Sequence, residues 1–410
     1  MIKVCDAIMG SGKSQSAIAY MNEHYDKCFV YITPYLEEAT RIRDGCPGLK
    51  FVEPSDKLET FEFSKLKHTR YLLESGRNIT TTHAAFRSYT PDMLDAIKKH
   101  GYTLIIDEAV DVFQEAKYSD GDVKLLIDGG YVLFKDNKFY NGEKEYEGER
   151  LKDVFAMLKC NNFERVDNGA KGVQYYYWSI PKDILNAFDD VFVLTYLFES
   201  QEFKYFLDIN EIDYKYIGIV HEDDEYRFCD EPNYIPEYVK TLKDKIHIFD
   251  NDRLNSIGKN KCALSANWLK THEEEKALLK NHLYNYIRHY NQCTSDDVMW
   301  STFNGNIKAL KGRGFSNQSV VFNLRATNDL SNKTVLAYCV NIFTQPHKKQ
   351  YFATHGIDYD EDGYALSTMI QWIWRSAIRN GEEIYIYIPS RRMRELLINW
   401  IEEVSKGVSV

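Results

Sequence analysis

No stretch of the 410-residue chain approaches the roughly 18 to 20 consecutive apolar residues that a membrane-crossing helix needs. The first residues also lack a basic segment followed by an apolar one, the pattern of a secretory leader. Both absences lead to the expectation of a soluble, intracellular protein with no membrane partner. Paired cysteines are missing too. Cys5, Cys28, Cys46, Cys160, Cys229, Cys262, Cys293 and Cys339 are scattered, with no Cys-x-x-Cys pair and no histidine pair beside them. That pattern argues against a zinc ribbon and against a disulfide framework, and it assigns the thiols to core filling in a reducing compartment. Positive charge is not in excess either: 51 Lys and Arg face 61 Asp and Glu, a formal net charge of -10. The balance argues mildly against a surface coated in nucleic acid, although a translocating enzyme can keep a basic channel inside an acidic exterior.

What the chain does have is a glycine-rich turn near its start. Ala7-Ile8-Met9-Gly10-Ser11-Gly12-Lys13-Ser14 follows the apolar-rich run Met1 to Cys5 and precedes a segment with helical patterning. A phosphate-cradling loop has this shape: a buried strand, a turn whose amides point inward, then a helix N-terminus aimed at anionic oxygens. Gly10 and Gly12, flanking Ser11, let the backbone approach phosphates without a Cβ in the way. Lys13 has the reach for the β- and γ-phosphates, and Ser14 has the hydroxyl that binds Mg2+. At the first position of the full pattern, where glycine is usual, stands Ala7.

The length predicts two domains, read as 1–205 and 206–410. After the glycine-rich loop, Cys28 to Ile32 predicts a strand ending at Thr33-Pro34-Tyr35, followed by a helical Leu36 to Ile42. Residues 52–70 are polar and charged with no clear strand. Asn78 to His83 reads as a short strand, Asp95 to His100 as the end of a helix stopped by Gly101. Tyr102-Thr103-Leu104-Ile105-Ile106-Asp107-Glu108-Ala109 is an apolar strand delivering two carboxylates at its carboxyl end, where open α/β sheets bind ligands. In such a place Asp107 suits the Mg2+ shell and Glu108 suits the task of orienting and deprotonating an attacking water.

Residues 119–178 read as an insertion. Hairpin turns are expected at Asp128-Gly129-Gly130 and at Asn141-Gly142. Tyr175-Tyr176-Tyr177-Trp178 alternates as core and rim packing would, with base stacking as the other use of such a strand. Asp190 to Phe198 predicts a buried strand, the last of the first domain, and Tyr205 to Ile219 an aromatic, β-like passage to the second. There, Lys261 to Ser265, Asp297 to Phe303, Ser319 to Asn323 and Glu383 to Ile388 read as strands. Glu273 to Tyr290 and Met393 to Val404 read as helices, and Val335 to Val340 fits either. Asp358-Tyr359-Asp360-Glu361-Asp362-Gly363 opens like a calcium loop but has Met369 where a bidentate Glu is required, so it reads as a solvated acidic turn. Lys308, Lys311, Arg313 and Lys348-Lys349 are candidates for a phosphate track. Gln371, Arg375 and Arg379 recur at four-residue steps, which on a helix gives one polar face. Arginine, always charged and planar, is suited to stabilising a transferring phosphoryl group.

Together these stretches resemble the superfamily 2 helicases and translocases, in particular the DEAD/DEAH-like helicases encoded by bacteriophages. Ala7 to Ser14 is similar to motif I, Tyr31 to Pro34 to motif Ia, Thr81-Thr82-His83 to the strand-contacting motif, and Asp107 to Val110 to motif II. Leu194-Thr195-Tyr196 sits where the family couples hydrolysis to movement. Gly312-Arg313-Gly314 through Ala326-Thr327-Asn328 resembles motif V, and Gln371 to Arg379 motif VI. The resemblance implies an α/β fold of two RecA-like domains, each a mostly parallel sheet flanked by helices, with the β-rich insertion in the first. It implies an ATP hydrolase using ATP and Mg2+ in the cleft between the domains, with Arg375 and Arg379 reaching the γ-phosphate. Thr33, Pro34, Thr82 and His83 would contact a nucleic acid backbone, DNA rather than RNA. The setting would be phage DNA replication or recombination in the host cytoplasm, with proteins of those processes as further partners.

The sequence departs from the family pattern at three places. Motif II ends in Ala109-Val110, Trp374 stands where glycine usually precedes the first arginine, and Arg379 follows Arg375 by four residues rather than three. No upstream glutamine motif precedes the loop, so the choice of ATP is inferred. An alternative of another class is a terminase-like DNA-packaging ATPase with a metal-dependent nuclease as its second domain.

Overall fold

The computed structural model describes residues 1–34, 36–108, 110, 112–116, 118–145, 155, 163–167, 174–230, 234–323 and 330–407. Tyr35, Ala109, Cys160 and Ala326-Thr327-Asn328 lie outside them. Two compact units are present. One comprises Met1–Ala7, Gly12–Tyr234 and Gln345–Tyr359; the other comprises Ile8–Ser11, Ile235–Thr344 and Asp360–Val410. Both are α/β, and the architecture is that of two RecA-like domains.

The first unit runs β1 (Ile2–Asp6), α1 (Lys13–Glu23), β2 (Phe29–Thr33), α2 (Leu36–Gly45), α3 (Lys65–Glu74), β3 (Ile79–Thr82), α4 (Pro91–His100) and β4 (Thr103–Asp107). An insertion follows: β5 (Phe113–Ala116), α5 (Asp120–Asp128), β6 (Val132–Lys135), β7 (Lys138–Asn141), β8 (Phe163–Asp167) and β9 (Gln174–Ser179). Then come β10 (Asp190–Thr195), α6 (Glu202–Ile209), β11 (Tyr214–Tyr216), β12 (Gly218–Glu222) and β13 (Glu225–Cys229). Six strands form one sheet in the order β11-β1-β10-β4-β2-β3, with every pairing parallel. Successive side chains of a strand point to opposite faces, so Val4, Val30, Leu104 and Val193 enter one core while Cys5, Tyr31, Ile105 and Leu194 enter the other. Burial on both faces is why these strands read as unbroken apolar runs.

Three expectations for this half are corrected. β10 is not the last strand: it lies inside the sheet between β1 and β4, and β11 adds to the outer edge of β1. Tyr205, expected in a β-like passage, lies in α6, where Phe203, Phe206 and Leu207 follow a helical spacing and are buried. Asp128-Gly129-Gly130 does not join two strands. Residues 120–128 form α5, because Ser119 accepts a hydrogen bond from the Asp122 amide (3.1 Å) and Asp120 and Asp122 favour a helix N-terminus. The hairpin turn is instead Asp136-Asn137 between β6 and β7, both residues at left-handed φ (52° and 61°) as a tight hairpin requires. The insertion sheet is antiparallel in the order β5-β9-β8-β7-β6. Tyr176, Tyr177 and Trp178 of β9 are buried in it, Tyr176 stacking on Phe163 at 5.8 Å.

The second unit contains β14 (Ile246–Ile248), α7 (Glu273–Asn285), β15 (Val298–Ser301) and β16 (Val335–Tyr338). The chain then contributes α8 (Pro346–Thr354) to the first unit, where Tyr351 and Phe352 each pack against Phe113 at 5.1 Å. It continues with α9 (Glu361–Ile373), β17 (Ile384–Tyr387) and α10 (Arg391–Ser405). The strands pair in parallel in the order β14-β17-β16-β15, so Val335 to Val340 resolves as a strand rather than a helix.

Lys261 to Ser265, expected as a strand, is a turn. Asn260 accepts from the Cys262 amide at 2.9 Å, Leu264 adopts a φ of 63°, and Ser265 caps the following helix. Ser319 to Asn323 supplies only a single bridge, from Ser319 to Trp300. The acidic turn is used to start α9: Asp360 accepts from the Gly363 amide and Glu361 from the Thr344 amide, both at 2.9 Å. Burial pushes the thiol pKa of Cys5 up to about 12 and of Cys46 to about 11, so these cysteines stay protonated at neutral pH. Among the described residues, no helix is long and apolar enough to cross a membrane.

Candidate nucleotide site

Gly10 and Gly12 have φ values of 77° and 92°, a region that other residues enter only with strain, so the loop between β1 and α1 requires glycine at both positions. The Gly12 carbonyl accepts from the Ser16 amide at 2.8 Å, which starts α1 immediately at the loop and leaves its first amides, from Lys13 onward, at the helix N-terminus. Lys13 folds back so that its Nζ donates to the Ala7 carbonyl. Burial lowers the pKa of Lys13, while Asp107, Asp6 and Glu108 act in the opposite direction.

The parallel order brings the acidic strand to this loop. β4 lies one strand away from β1, and Asp107 at its end accepts hydrogen bonds from Ser14 Oγ (3.2 Å) and Tyr31 Oη (2.7 Å). Arg41 Nη2 stands 3.8 Å from the same oxygen. Burial raises the Asp107 pKa above the usual carboxylate range; the Tyr31 hydrogen bond opposes this and Glu108 reinforces it. A carboxylate and a hydroxyl that already touch at a helix N-terminus form a hard-oxygen donor set, which fits Mg2+, and the adjoining glycine loop fits phosphate.

The raised pKa has a testable consequence. The fold favours the protonated form of Asp107, so the ionised form costs stability at neutral pH, and that cost disappears as pH falls through the raised pKa. Without added metal, Asp107→Asn is therefore expected to unfold at higher denaturant concentration than the parent chain at pH 8. The two should converge under acidic conditions, as chemical denaturation followed by fluorescence across pH would report.

Glu108 follows at a φ of 64°, with its amide donating to the Leu194 carbonyl at 2.9 Å. A left-handed non-glycine residue costs on the order of 1–3 kcal/mol and persists only where neighbours enforce it. Here that conformation coincides with the residue proposed to act on water. Thr195 ends β10 between the two site strands; its hydroxyl donates to Gln201 Oε1 at 2.8 Å, and its carbonyl accepts from the Ala7 amide at 3.0 Å.

Thr33 and Thr82 are register partners at the carboxyl ends of β2 and β3, with Pro34 and His83 next to them, so the fold gathers these four at one edge. Thr33 is fully buried. His83 is buried with Nε2 3.2 Å from the Asp107 carbonyl, and Thr82 accepts from the Ala85 amide at 3.3 Å. In the second unit the four-residue spacing does not give one helical face. α9 ends at Ile373, where the Ser376 hydroxyl caps the Ile373 carbonyl at 2.6 Å, and the Ala377 amide then turns to Lys333 O at 2.9 Å. Gln371 is thus on the helix, half-buried Arg375 in the turn after it, and exposed Arg379 in a short 3-10 segment, Ala377–Asn380. Of the candidate phosphate track, Lys348 pairs with Glu202 in the first unit.

Sequence reasoning missed Tyr31, Arg41 and Asp6, whose buried carboxylate accepts from the Phe198 amide at 2.9 Å. In the sequence Tyr31 is the start of the stretch similar to motif Ia, with no role at Asp107, and only the pairing of β2 with β4 shows that its hydroxyl meets Asp107.

The chain is 37% identical over 411 residues to the SPbeta prophage-derived uncharacterized protein YonV of Bacillus subtilis (strain 168), with 98% of each chain covered. It belongs to the YonV family. A family model described as the YonV C-terminal Rossmann-like domain matches residues 240–401, which span the parallel sheet of the second unit. Among solved structures, one titled XPD helicase is similar over 97% of this chain and 94% of its own, with 12% identity and a TM-score of 0.47. Xpd4 of S. tokodaii is similar over 100% and 94%, with 11% identity and a TM-score of 0.48.

Proposed function

We propose that this member of the YonV family is an ATP-dependent helicase or translocase that couples hydrolysis to movement along, or unwinding of, DNA. The observation that carries the reading is the meeting of Ser14 and Asp107, 93 residues apart in sequence, at a glycine loop that also presents Lys13. Ser14 and Asp107 would hold Mg2+, which when bound neutralises phosphate charge and polarises the bond to be broken. Gly10, Ser11 and Gly12 offer backbone amides to the phosphates, and Lys13 exchanges the Ala7 carbonyl for phosphate oxygens. Glu108 orients the attacking water and takes its proton.

Gln371, Arg375 and Arg379 are assigned to charge stabilisation in hydrolysis on the strength of the motif resemblance. Arg375→Ala is expected to bind ATP with near-parental affinity while hydrolysis falls about a thousandfold, the scale of an arginine finger. Equilibrium binding and steady-state phosphate release together check this, and normal hydrolysis by the variant would remove the arginine from the mechanism. For the nucleic acid contact, Pro34 and Thr82 are the half-buried members at the sheet edge, with Thr33 and His83 supporting them from inside. The prophage origin of the Bacillus relative supports a phage setting, with replication or recombination in the host cytoplasm as the role.

The decisive assay is ATPase rate with no nucleic acid, single-stranded DNA, duplex DNA and RNA. Stimulation by DNA is expected; stimulation by none of them would sink the translocase reading. Mg2+- or Mn2+-dependent cutting of DNA would turn the assignment towards a packaging motor, although no group of three or more metal-ligating side chains is assembled among the described residues.

A further inference from the structure

Four residues of the glycine loop, Ile8–Ser11, belong with the second unit rather than with the strand before them or the helix after them. They form a tight turn, in which the Ser11 amide donates to the Ile8 carbonyl at 3.2 Å. Met9 and Gly10 are its two central residues, and the φ of 77° at Gly10 is that of a type II turn, whose third residue sits near +80°. In the commoner type I turn the same residue has a φ near -90°, and the two types differ by a half-turn of the central peptide. Glycine enters both regions, so Gly10 leaves the Met9–Gly10 peptide able to take either orientation. The orientation decides where the Gly10 amide points, because the carbonyl and the N–H of a trans peptide lie on opposite sides.

A side chain of the second unit holds that peptide. Tyr238 donates its hydroxyl to the Met9 carbonyl, and a Cβ built on Gly10 would lie 3.4 Å from the same hydroxyl oxygen and from a ring carbon. Tyr238 stands on the short 3-10 segment Glu237–Thr241, anchored by buried Val239 and by Thr241, whose hydroxyl donates to the Tyr238 carbonyl at 2.8 Å. Its ring lies 6.0 Å from that of Trp374, which meets Trp400 edge-on at 6.0 Å. Trp374 occupies the position where the helicase pattern has glycine, and a glycine would offer the tyrosine no ring to pack on. With the Met9 carbonyl drawn toward Tyr238, the Gly10 N–H faces the opposite way. We propose that Tyr238 is a positioning residue of the nucleotide site, holding the Met9–Gly10 peptide in the orientation that offers the Gly10 amide to the phosphates. This rests on the nucleotide-site reading above and adds to it the group that sets the loop before the nucleotide arrives. Without the hydroxyl the peptide populates both orientations, and apparent affinity falls in proportion to the fraction still competent. Once phosphate is bound, the ligand itself holds the peptide, so turnover is little changed.

The test is calorimetric titration of the full chain with ADP, the β,γ-imido analogue of ATP and inorganic tripolyphosphate in the presence of Mg2+, together with steady-state ATP hydrolysis. Tyr238→Phe keeps the ring on Gly10 and Trp374 and removes only the hydroxyl. It should weaken all three ligands by the same factor, about fivefold, the scale of one hydrogen bond. KM for ATP should rise by that factor while kcat stays within about twofold of the parent chain. Tyr238→para-aminophenylalanine returns a donor to the same place and should restore the parental values; no recovery would assign the loss to packing and overturn the proposal. Unchanged affinity in Tyr238→Phe would overturn it, as would loss of the fold, which makes the hydroxyl a structural tie. A loss confined to the two triphosphates, with ADP unaffected, would also overturn it, by making the hydroxyl a direct contact to the terminal phosphate. If the parent chain binds none of the three, the nucleotide site itself is refuted; if it binds them and Tyr238→Phe matches it, only the role of Tyr238 falls.

Discussion

Lys13→Ala is expected to abolish ATP hydrolysis, with turnover reduced by about a thousandfold or more and ATP affinity falling with it. Lys13 is presented at the helix N-terminus beside Asp107 and Glu108, and its side chain already turns inward to the Ala7 carbonyl. Removing one preorganised donor from a water-poor site costs on the order of 10²–10³ in rate, and here the same group also binds the ground-state phosphates. The loss should therefore appear in both binding and turnover. The variant should still fold, because taking a buried cation out of the site relieves the desolvation that depresses its pKa. Phosphate release and calorimetric ATP titration check the two halves of this prediction. Parental turnover in the variant would mean that the glycine loop serves no nucleotide.

Glu108→Gln should separate binding from chemistry. The amide keeps the size and hydrogen-bonding reach of the carboxylate but cannot accept a proton, so turnover should fall by about 10²–10⁴-fold, the range of a lost general base. ATP affinity should stay within a few-fold of the parent chain, because Glu108 is no part of the phosphate cradle. Its left-handed backbone should persist in the variant, since the Glu108 amide donates to the Leu194 carbonyl and the substitution leaves that amide in place. Single-turnover measurements, in which bound ATP is followed directly, would register a long-lived ATP complex. A variant that hydrolyses normally would leave Glu108 as a structural turn residue and return the role of base to another group.

Much of the scaffold was legible in the residues. The strands of both parallel sheets are short apolar runs punctuated by glycine, proline or polar residues, and buried parallel strands write themselves in that way. Cys28 to Ile32, Thr103 to Asp107 and Glu383 to Ile388 were readable for this reason. The errors fall where local chemistry outweighs composition. Asp128-Gly129-Gly130 carries the composition of a turn but closes a helix that Ser119 had already started, while Asp136-Asn137 makes the tight turn without any glycine. Phe203 and Tyr205 have aromatic β propensity, and the spacing of Phe203, Phe206 and Leu207 overrules it.

By itself, the sequence determined the nature of the glycine loop, since Gly10, Gly12, Lys13 and Ser14 derive their chemistry from adjacent positions in the chain. It also determined that Asp107 ends a strand with Glu108 directly after it. The tertiary structure decided what those groups meet. Only the order of the strands, with β10 between β1 and β4, carries Asp107 to Ser14 and brings in Tyr31 from β2. Only the fold ends α9 at Ile373, so that Gln371, Arg375 and Arg379, evenly spaced in sequence, leave on three different elements. The same division explains Tyr238, an unremarked tyrosine that meets the Met9 carbonyl, 229 residues away in sequence, through the fold alone. Spacing along a chain specifies neighbours within one helix or strand; contacts between elements depend on which faces the core buries, and no single segment encodes that.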